Sequence, residues 1–260
     1  MKLFDAHFHI IDPRFPLIPN HGYLPPAFTC EDYLQRMQGH SLAGGAVVSG
    51  SFQAFDQAYL LAALRRLTAF VGVTQLPASV GDAELLELDA AGVRAVRFNF
   101  KRGGSENSRH LEHFASRVYE LVGWHVELYV DARELPDLSP TLLKLPAVSI
   151  DHLGLSAAGL PTLLKLVERG VCVKATGFGR VDFDVRKALP TLFAANPDAL
   201  LFGTDLPSTR APIPYQDTDF TLVTEVLGDG NADKVLWENA LRLYRPAAAN
   251  FTSTPDPAKP

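Results

Sequence analysis

The sequence predicts an α/β fold of the (β/α)8, or TIM-barrel, class. Three observations carry that expectation. Eight short apolar runs recur along the chain, the segments between them carry helical spacing, and 260 residues suit eight strand–helix units. The runs are Leu3–His9, Gly45–Ser49, Ala69–Gln75, Val93–Phe100, His125–Asp131, Ala147–His152, Val171–Ala175 and Leu200–Asp205. Strand–helix alternation implies parallel pairing with right-handed crossovers. A doubly wound sheet is the structural alternative, but no strand start carries a glycine-rich phosphate turn.

In the first strand, alternation puts Phe4, Ala6, Phe8 and Ile10 on a face under the helices. Asp5, His7 and His9 share the other face. Two histidines at i and i+2 could share one ion or one substrate oxygen. The alternative, a surface strand with solvated histidines, sits poorly with so apolar an opposite face. Residues 10–33, with Pro13, Pro16, Pro19, Pro25 and Pro26, form a long first loop, a candidate lid over the barrel mouth. After the second strand, Ala58, Leu61, Ala62 and Leu64 mark a helix face. Phe55, Tyr59 and Phe70 read as helix–barrel packing.

The fourth strand places Arg97, Asn99 and Lys101 on one face. A buried arginine needs an anion, and no acid lies between Asp89 and Glu106. An acid from another strand or a substrate carboxylate must supply it. Leu111, Phe114, Val118 and Leu121 mark the next helix. The fifth strand offers His125, Glu127 and Tyr129, and the sixth ends at Asp151-His152, where an inward His152 would meet His7 and His9. The seventh offers Lys174 and Thr176, with Arg180 in the turn beyond, and the eighth puts Leu201, Gly203 and Asp205 on one face. Taken alone, Asp205 could equally cap a turn and His152 could be a satisfied core histidine.

Composition narrows the function. Net charge is −5, which argues against a nucleic-acid binder but not against a small anionic substrate met by a few local arginines. Two cysteines exclude a disulfide scaffold and suit a reducing cytoplasm. No apolar run approaches the roughly 20 residues of a membrane span, and the first residues lack the apolar stretch of a signal peptide. One domain is expected over residues 1–246, followed by a loose tail at 247–260 that holds an Asn250-Phe251-Thr252 sequon. His40, His110 and His113 are expected in solvent, and Gly103-Gly104 is too short for a phosphate cradle.

Asp5-Ala6-His7-Phe8-His9, Asp151-His152-Leu153-Gly154 and Gly203-Thr204-Asp205-Leu206-Pro207 together resemble the amidohydrolase superfamily, in the expected order over residues 1–245. Within it, Val96-Arg97-Phe98-Asn99-Phe100 and Val173-Lys174-Ala175-Thr176-Gly177-Phe178-Gly179-Arg180 are similar to the lactonase branch that includes 2-pyrone-4,6-dicarboxylate hydrolase. That resemblance implies lactone opening by water. Arg97, Arg102, Tyr129 and Arg180 match the holders of substrate carboxylates, and Asp205 the water-activating acid. Tyr129 stands where metal-dependent relatives usually carry a histidine, which favours the metal-free branch. Leu155 departs from that branch, which carries an arginine there.

The expected chemistry is therefore hydrolysis of a carboxylated lactone with no cofactor. Asp205 takes a proton from water, while His7, His9 and His152 donate to the developing oxyanion. A first alternative keeps the fold and adds one Zn or Mn ion on His7, His9 and Asp205, with sugar lactones, amides or decarboxylation substrates. A metal-dependent nuclease would need an acidic bridging ligand where the fourth strand has Arg97 and Asn99. A non-catalytic small-molecule binding barrel uses the same arginines, but gains nothing from an acid beside its anion.

Overall fold

The computed structural model describes residues 1–247, so all but the first residue of the expected tail, its sequon included, lies outside the described residues. Eight parallel strands follow in chain order around one sheet: β1 Lys2–Phe8, β2 Ser41–Val48, β3 Phe70–Thr74, β4 Val93–Asn99, β5 His125–Tyr129, β6 Val148–Ile150, β7 Cys172–Ala175 and β8 Leu200–Phe202. The ring closes through backbone bonds: Asp205 N–H donates to His7 O and His9 N–H to Leu206 O, each at 2.7 Å. The fold is a (β/α)8 barrel, as the strand spacing predicts. A Cβ on Gly203 would sit 2.6 Å from the His7 nitrogen, so closure at this point requires glycine.

Between the strands run α1 Cys30–Arg36, α2 Ala58–Arg66, α3 Asp82–Ala90, α4 Leu111–Val122, α5 Leu135–Leu142, α6 Leu160–Glu168 and α7 Val185–Ala195. After β8 come α8 Asp217–Leu227, α9 Asp229–Asp233, a π-helical turn and α10 Asn239–Tyr244. α1 begins with a capping box: Thr29 accepts from Asp32 N–H, and the Asp32 carboxylate accepts from Thr29 N–H. α4 buries Leu111, Phe114 and Val118, the face expected for it. α2 instead buries Tyr59, Leu60 and Ala63, one step round from the expected face, and Tyr59 OH meets Ser49 Oγ at 2.6 Å. Phe55 is 42% exposed, so it is not the helix–barrel packing residue expected; it follows the turn at Ser51–Gln53, where Ala54 has φ 45°.

The apolar core has two parts. Branched and aromatic residues between strands and helices form the larger, with Phe8, Val47, Val96, Phe98, Leu128 and Val173 on its strand side. Inside the barrel lie Phe4, Ala6, Ala46, Val48, Val71, Val73, Ala95 and Leu201, with Ala240 and Tyr244 of α10 packed against them. Phe4 stacks on Tyr244 at 5.5 Å between ring centroids.

That division overturns the simple alternation expected for β1. Asp5 pairs with Gly45 of β2 but Phe8 with Val47, so β1 carries an extra residue between them. The bulge reverses the phase: Phe4 and Ala6 face the barrel interior with His7 and His9, while Asp5 turns out beside Phe8 and Ile10. Outside, Asp5 accepts from Tyr33 OH at 3.0 Å, Thr204 N at 2.8 Å and Thr204 Oγ1 at 2.7 Å, tying β1 to the end of β8. Burial pushes its pKa up to about 6, against the lowering effect of those bonds.

Candidate active site

At the C-terminal end of the barrel, where such folds carry their chemistry, the polar residues form a floor and a cleft. The floor begins on Glu127, whose carboxylate accepts from Lys174 Nζ, from Tyr244 OH at 2.6 Å and lies 3.1 Å from His125 Nε2. Burial raises the Glu127 pKa, but the Lys174 ammonium and His125 outweigh it and hold it at about 2. Lys174 Nζ also lies 3.3 Å from His7 Nδ1 and 3.5 Å from Asp151 Oδ1.

Arg97 takes its anion from another strand. Its Nε and Nη2 donate to Asp151 Oδ2 at 3.0 and 2.8 Å, and Nη1 donates to Ser49 O at 2.9 Å. Burial pushes the Asp151 pKa up, yet Arg97, His7 and Lys174 together hold it well below the usual carboxylate range. The mouth therefore holds a second acid besides Asp205. The sequence reading gave Asp151 no role, although the Arg97 puzzle signalled that some acid had to be there. Lys101 does not follow Arg97 inward: β4 ends at Asn99, and Lys101 turns aside to Asp131 at 3.2 Å.

His7, His9 and His152 meet Asp205 as expected. The His7 ring centroid lies 5.1 Å from that of His9 and 4.8 Å from that of His152, and His152 Nε2 is 3.9 Å from Asp205 Oδ1. β6 and β8 stop short of the expected ends, so His152 and Asp205 lie past the strands in left-handed conformations, φ 52° and 61°. Both side chains are turned into the mouth by local backbone strain rather than by strand alternation. Asp205 accepts from Arg180 Nε at 2.7 Å through Oδ2, and its Oδ1 has no hydrogen-bond partner among the described residues. Burial lowers the Arg180 pKa, but Asp205 and Tyr129 raise it further.

The histidines are neutral near pH 7. Burial depresses all three; His7 and Arg97 add to it at His9, and Arg180 and His7 at His152, while for His7 burial and Lys174 prevail over Asp151. A neutral imidazole donates from one nitrogen only. His9 Nδ1 lies 2.7 Å from Val48 O, which can only accept, so His9 presents the Nε2 lone pair to the site. His7 Nδ1 lies between Lys174 Nζ at 3.3 Å and Asp151 Oδ1 at 3.4 Å, so it accepts from Lys174 in one tautomer and donates to Asp151 in the other; Nε2, buried and without a hydrogen-bond partner among the described residues, carries the proton in the first and a lone pair in the second. His9 is thus an acceptor into the site, and His7 is a donor when its Nδ1 meets Lys174 and an acceptor when its Nδ1 meets Asp151.

The cleft above is lined by His9, Ser51, Phe52, Arg97, Asn99, Arg102, Tyr129, His152, Arg180, Thr209 and Arg210. All four expected carboxylate holders are among them. Arg210 is the guanidinium that sequence reasoning missed; its position follows from the turn after Asp205, which no periodicity describes. The first loop reaches this rim: Asn20 Nδ2 donates to Arg102 O at 3.1 Å, Arg210 Nη1 donates to Asn20 Oδ1 at 3.0 Å, and the Arg210 guanidinium lies 4.7 Å from the Tyr23 ring centroid.

Metal ligation fits the residue types. Ligand atoms of His7, His9 and Asp205 lie within 4.8 Å of one another, as do those of His7, Asp151 and His152. The free Asp205 Oδ1 and the His9 lone pair suit an ion, and the His7 tautomer whose Nδ1 donates to Asp151 Oδ1, 3.4 Å away, leaves Nε2 free for it as well. No helix among the described residues is long and apolar enough to cross a membrane.

Comparison with known proteins agrees with this geometry. The family described as Amidohydrolase matches residues 4–245. A 2-pyrone-4,6-dicarboxylate hydrolase of Comamonas testosteroni is 35% identical over 157 residues, covering 58% of this chain and 51% of its own. The match thus spans about half the length of that curated relative. Among solved structures, a Pseudomonas putida protein described as a putative 2-pyrone-4,6-dicarboxylic acid hydrolase is 25% identical, with a TM-score of 0.76 over 94% of this chain and 97% of its own. An Acinetobacter baumannii protein described as a probable 2-pyrone-4,6-dicarboxylic acid hydrolase, with citric acid bound, is 22% identical. Its TM-score is 0.81 over 94% of this chain and all of its own.

Proposed function

The chain belongs to the amidohydrolase family, and on that premise we propose that it is a hydrolase that opens the ring of a small carboxylated lactone, 2-pyrone-4,6-dicarboxylate or a close analogue. The observation that carries this reading is the unpartnered Oδ1 of Asp205 beside a cleft lined by Arg97, Arg102, Arg180 and Arg210. The Comamonas relative supports the substrate class.

In this reading Asp205 Oδ1 takes a proton from water as the water oxygen adds to the lactone carbonyl. Charge develops on the carbonyl oxygen, and His7, in the tautomer whose Nδ1 accepts from Lys174, donates to it from Nε2–H. The ring C–O bond then breaks. Its oxygen leaves as a stabilised enolate and recovers the proton from Asp205, so the products are a new carboxylic acid and an enol. Arg102 and Tyr129 face the substrate across the cleft. Arg97 and Arg180 each also hold an acid, Asp151 and Asp205.

A second reading is favoured by the His9 lone pair and the free Asp205 oxygen. His7, His9 and Asp205 would hold one divalent ion, which would supply Lewis-acid polarisation and a more acidic water. The absorbance of 2-pyrone-4,6-dicarboxylate, followed after adding chelator-treated protein, tests the leading reading. Loss of the pyrone chromophore is expected. No loss, with activity restored by a divalent ion, would replace it by the second.

A further inference from the structure

We propose that Lys174, held by Glu127, is a positioning residue that fixes the tautomer of His7 and so keeps its Nε2 a proton donor rather than a metal ligand. The inference deepens the proposed function and rests on it only for what that donor does in the reaction.

Lys174 is fully buried inside the barrel. An ammonium has three N–H donors and accepts nothing. Three acceptors stand around this one: Glu127 Oε2, His7 Nδ1 at 3.3 Å and Asp151 Oδ1 at 3.5 Å. Each meets one N–H only if His7 Nδ1 keeps its lone pair. In the other tautomer Nδ1–H turns to Asp151 Oδ1, 3.4 Å away, with the ammonium still 3.3 Å from the same nitrogen. Two donors then face each other, and one Lys174 N–H is buried without an acceptor. Asp151 does not depend on that proton: Arg97 donates to its Oδ2 twice, and Lys174 pairs with its Oδ1.

Lys174 is also kept from turning away. Glu127 Oε1 accepts from Tyr244 OH at 2.6 Å and lies 3.1 Å from His125 Nε2, which leaves Oε2 to Lys174. The proton on one imidazole nitrogen is set by the partner of the other. Tyr244 of α10 thus acts on the mouth of the barrel through Glu127, Lys174 and His7. The outcome is a choice of chemistry. With Nε2–H outward the site offers a donor to an oxyanion. With Nε2 unprotonated it offers, beside His9 and Asp205, a third ligand atom for a cation.

Nitrogen-15 NMR of the histidine-labelled full chain reads the tautomer without substrate or metal, and the His7 signals are those absent from His7→Gln. Wild type should show an unprotonated Nδ1 and a protonated Nε2. Lys174→Met combined with Glu127→Gln removes one charge of each sign and should move the proton to Nδ1. Zinc affinity of that double variant, read by competition with a chromophoric chelator, should rise about tenfold or more. Lys174→Arg also donates and cannot accept, so it should keep the wild-type tautomer. A wild type protonated on Nδ1 would overturn the proposal, and that reading needs no variant to fold. A double variant that keeps the wild-type tautomer, or gains no zinc affinity, would overturn it as well. Hydrolysis of the pyrone is a separate assay: its failure, with the tautomer as expected, would sink the lactonase reading and leave this one standing.

Discussion

Arg180 donates to one oxygen of Asp205 at 2.7 Å and leaves the other without a hydrogen-bond partner among the described residues. The guanidinium fixes the carboxylate's rotation, so the free oxygen is aimed rather than mobile. Asp205→Asn keeps the shape and removes the base. We expect kcat on the pyrone to fall by about 10²–10⁴-fold, with KM little changed, as loss of a general base usually costs. Arg180→Gln leaves the base but frees it to turn, and kcat should fall by about tenfold or more. Steady-state kinetics of both variants check the order; equal activity of Asp205→Asn and wild type would remove Asp205 from the role.

Metal dependence separates the two catalytic readings. Protein dialysed against a chelator should retain its activity, and elemental analysis should find less than stoichiometric metal. Stoichiometric zinc or manganese, with activity lost on chelation and regained on addition, would assign His7, His9 and Asp205 as ligands.

The floor should be the most fragile part of the molecule. Lys174 is fully buried between Glu127, Asp151 and His7. Lys174→Met leaves two buried carboxylates short of a cation and should destabilise the fold by about 3–5 kcal/mol in urea. Adding Glu127→Gln should recover part of that loss. A single variant as stable as wild type would contradict the pairing.

Two buried acids give opposite pH signatures. Asp5 ionises near 6 in the folded chain against an ordinary 3.8, so its contribution is full below 3.8 and lost as pH rises through about 6. Glu127 is held at about 2 against an ordinary 4.5, so its contribution is present above 4.5 and lost as pH falls through about 2. Asp5→Asn should therefore gain on wild type by about 3 kcal/mol between roughly pH 4 and pH 7. Urea midpoints across that range test it; a difference independent of pH would deny the raised pKa.

The barrel was legible because its strands are short apolar runs separated by helix-length segments, a signal that needs no tertiary knowledge. The histidines and Asp205 were legible as motifs. The faces of β1 were not, since the extra residue between Asp5 and Phe8 is seen only in its pairing with β2. Alternation therefore sent Asp5 inward and Phe4 outward, against the structure. Asp151 was hidden for a related reason: its value lies in Arg97, some fifty positions earlier, and only the sheet brings them together. Arg210 stands in a turn shaped by contacts to Asn20 and Ser51, which no local spacing encodes.

The seam between β1 and the residues after β8 also has a meaning for synthesis. His7 and His9 leave the ribosome well before Asp205, yet the bonds joining them, Asp205 N–H to His7 O and His9 N–H to Leu206 O, span that whole interval. Until the eighth strand emerges, a nascent chain carries an open sheet whose first edge is unsatisfied. Tyr244, which reaches back to Ala6 O and Glu127, is later still. Closure of the site thus waits for the eighth strand, and a ribosome stalled before residue 205 displays the histidines without the acid that faces them.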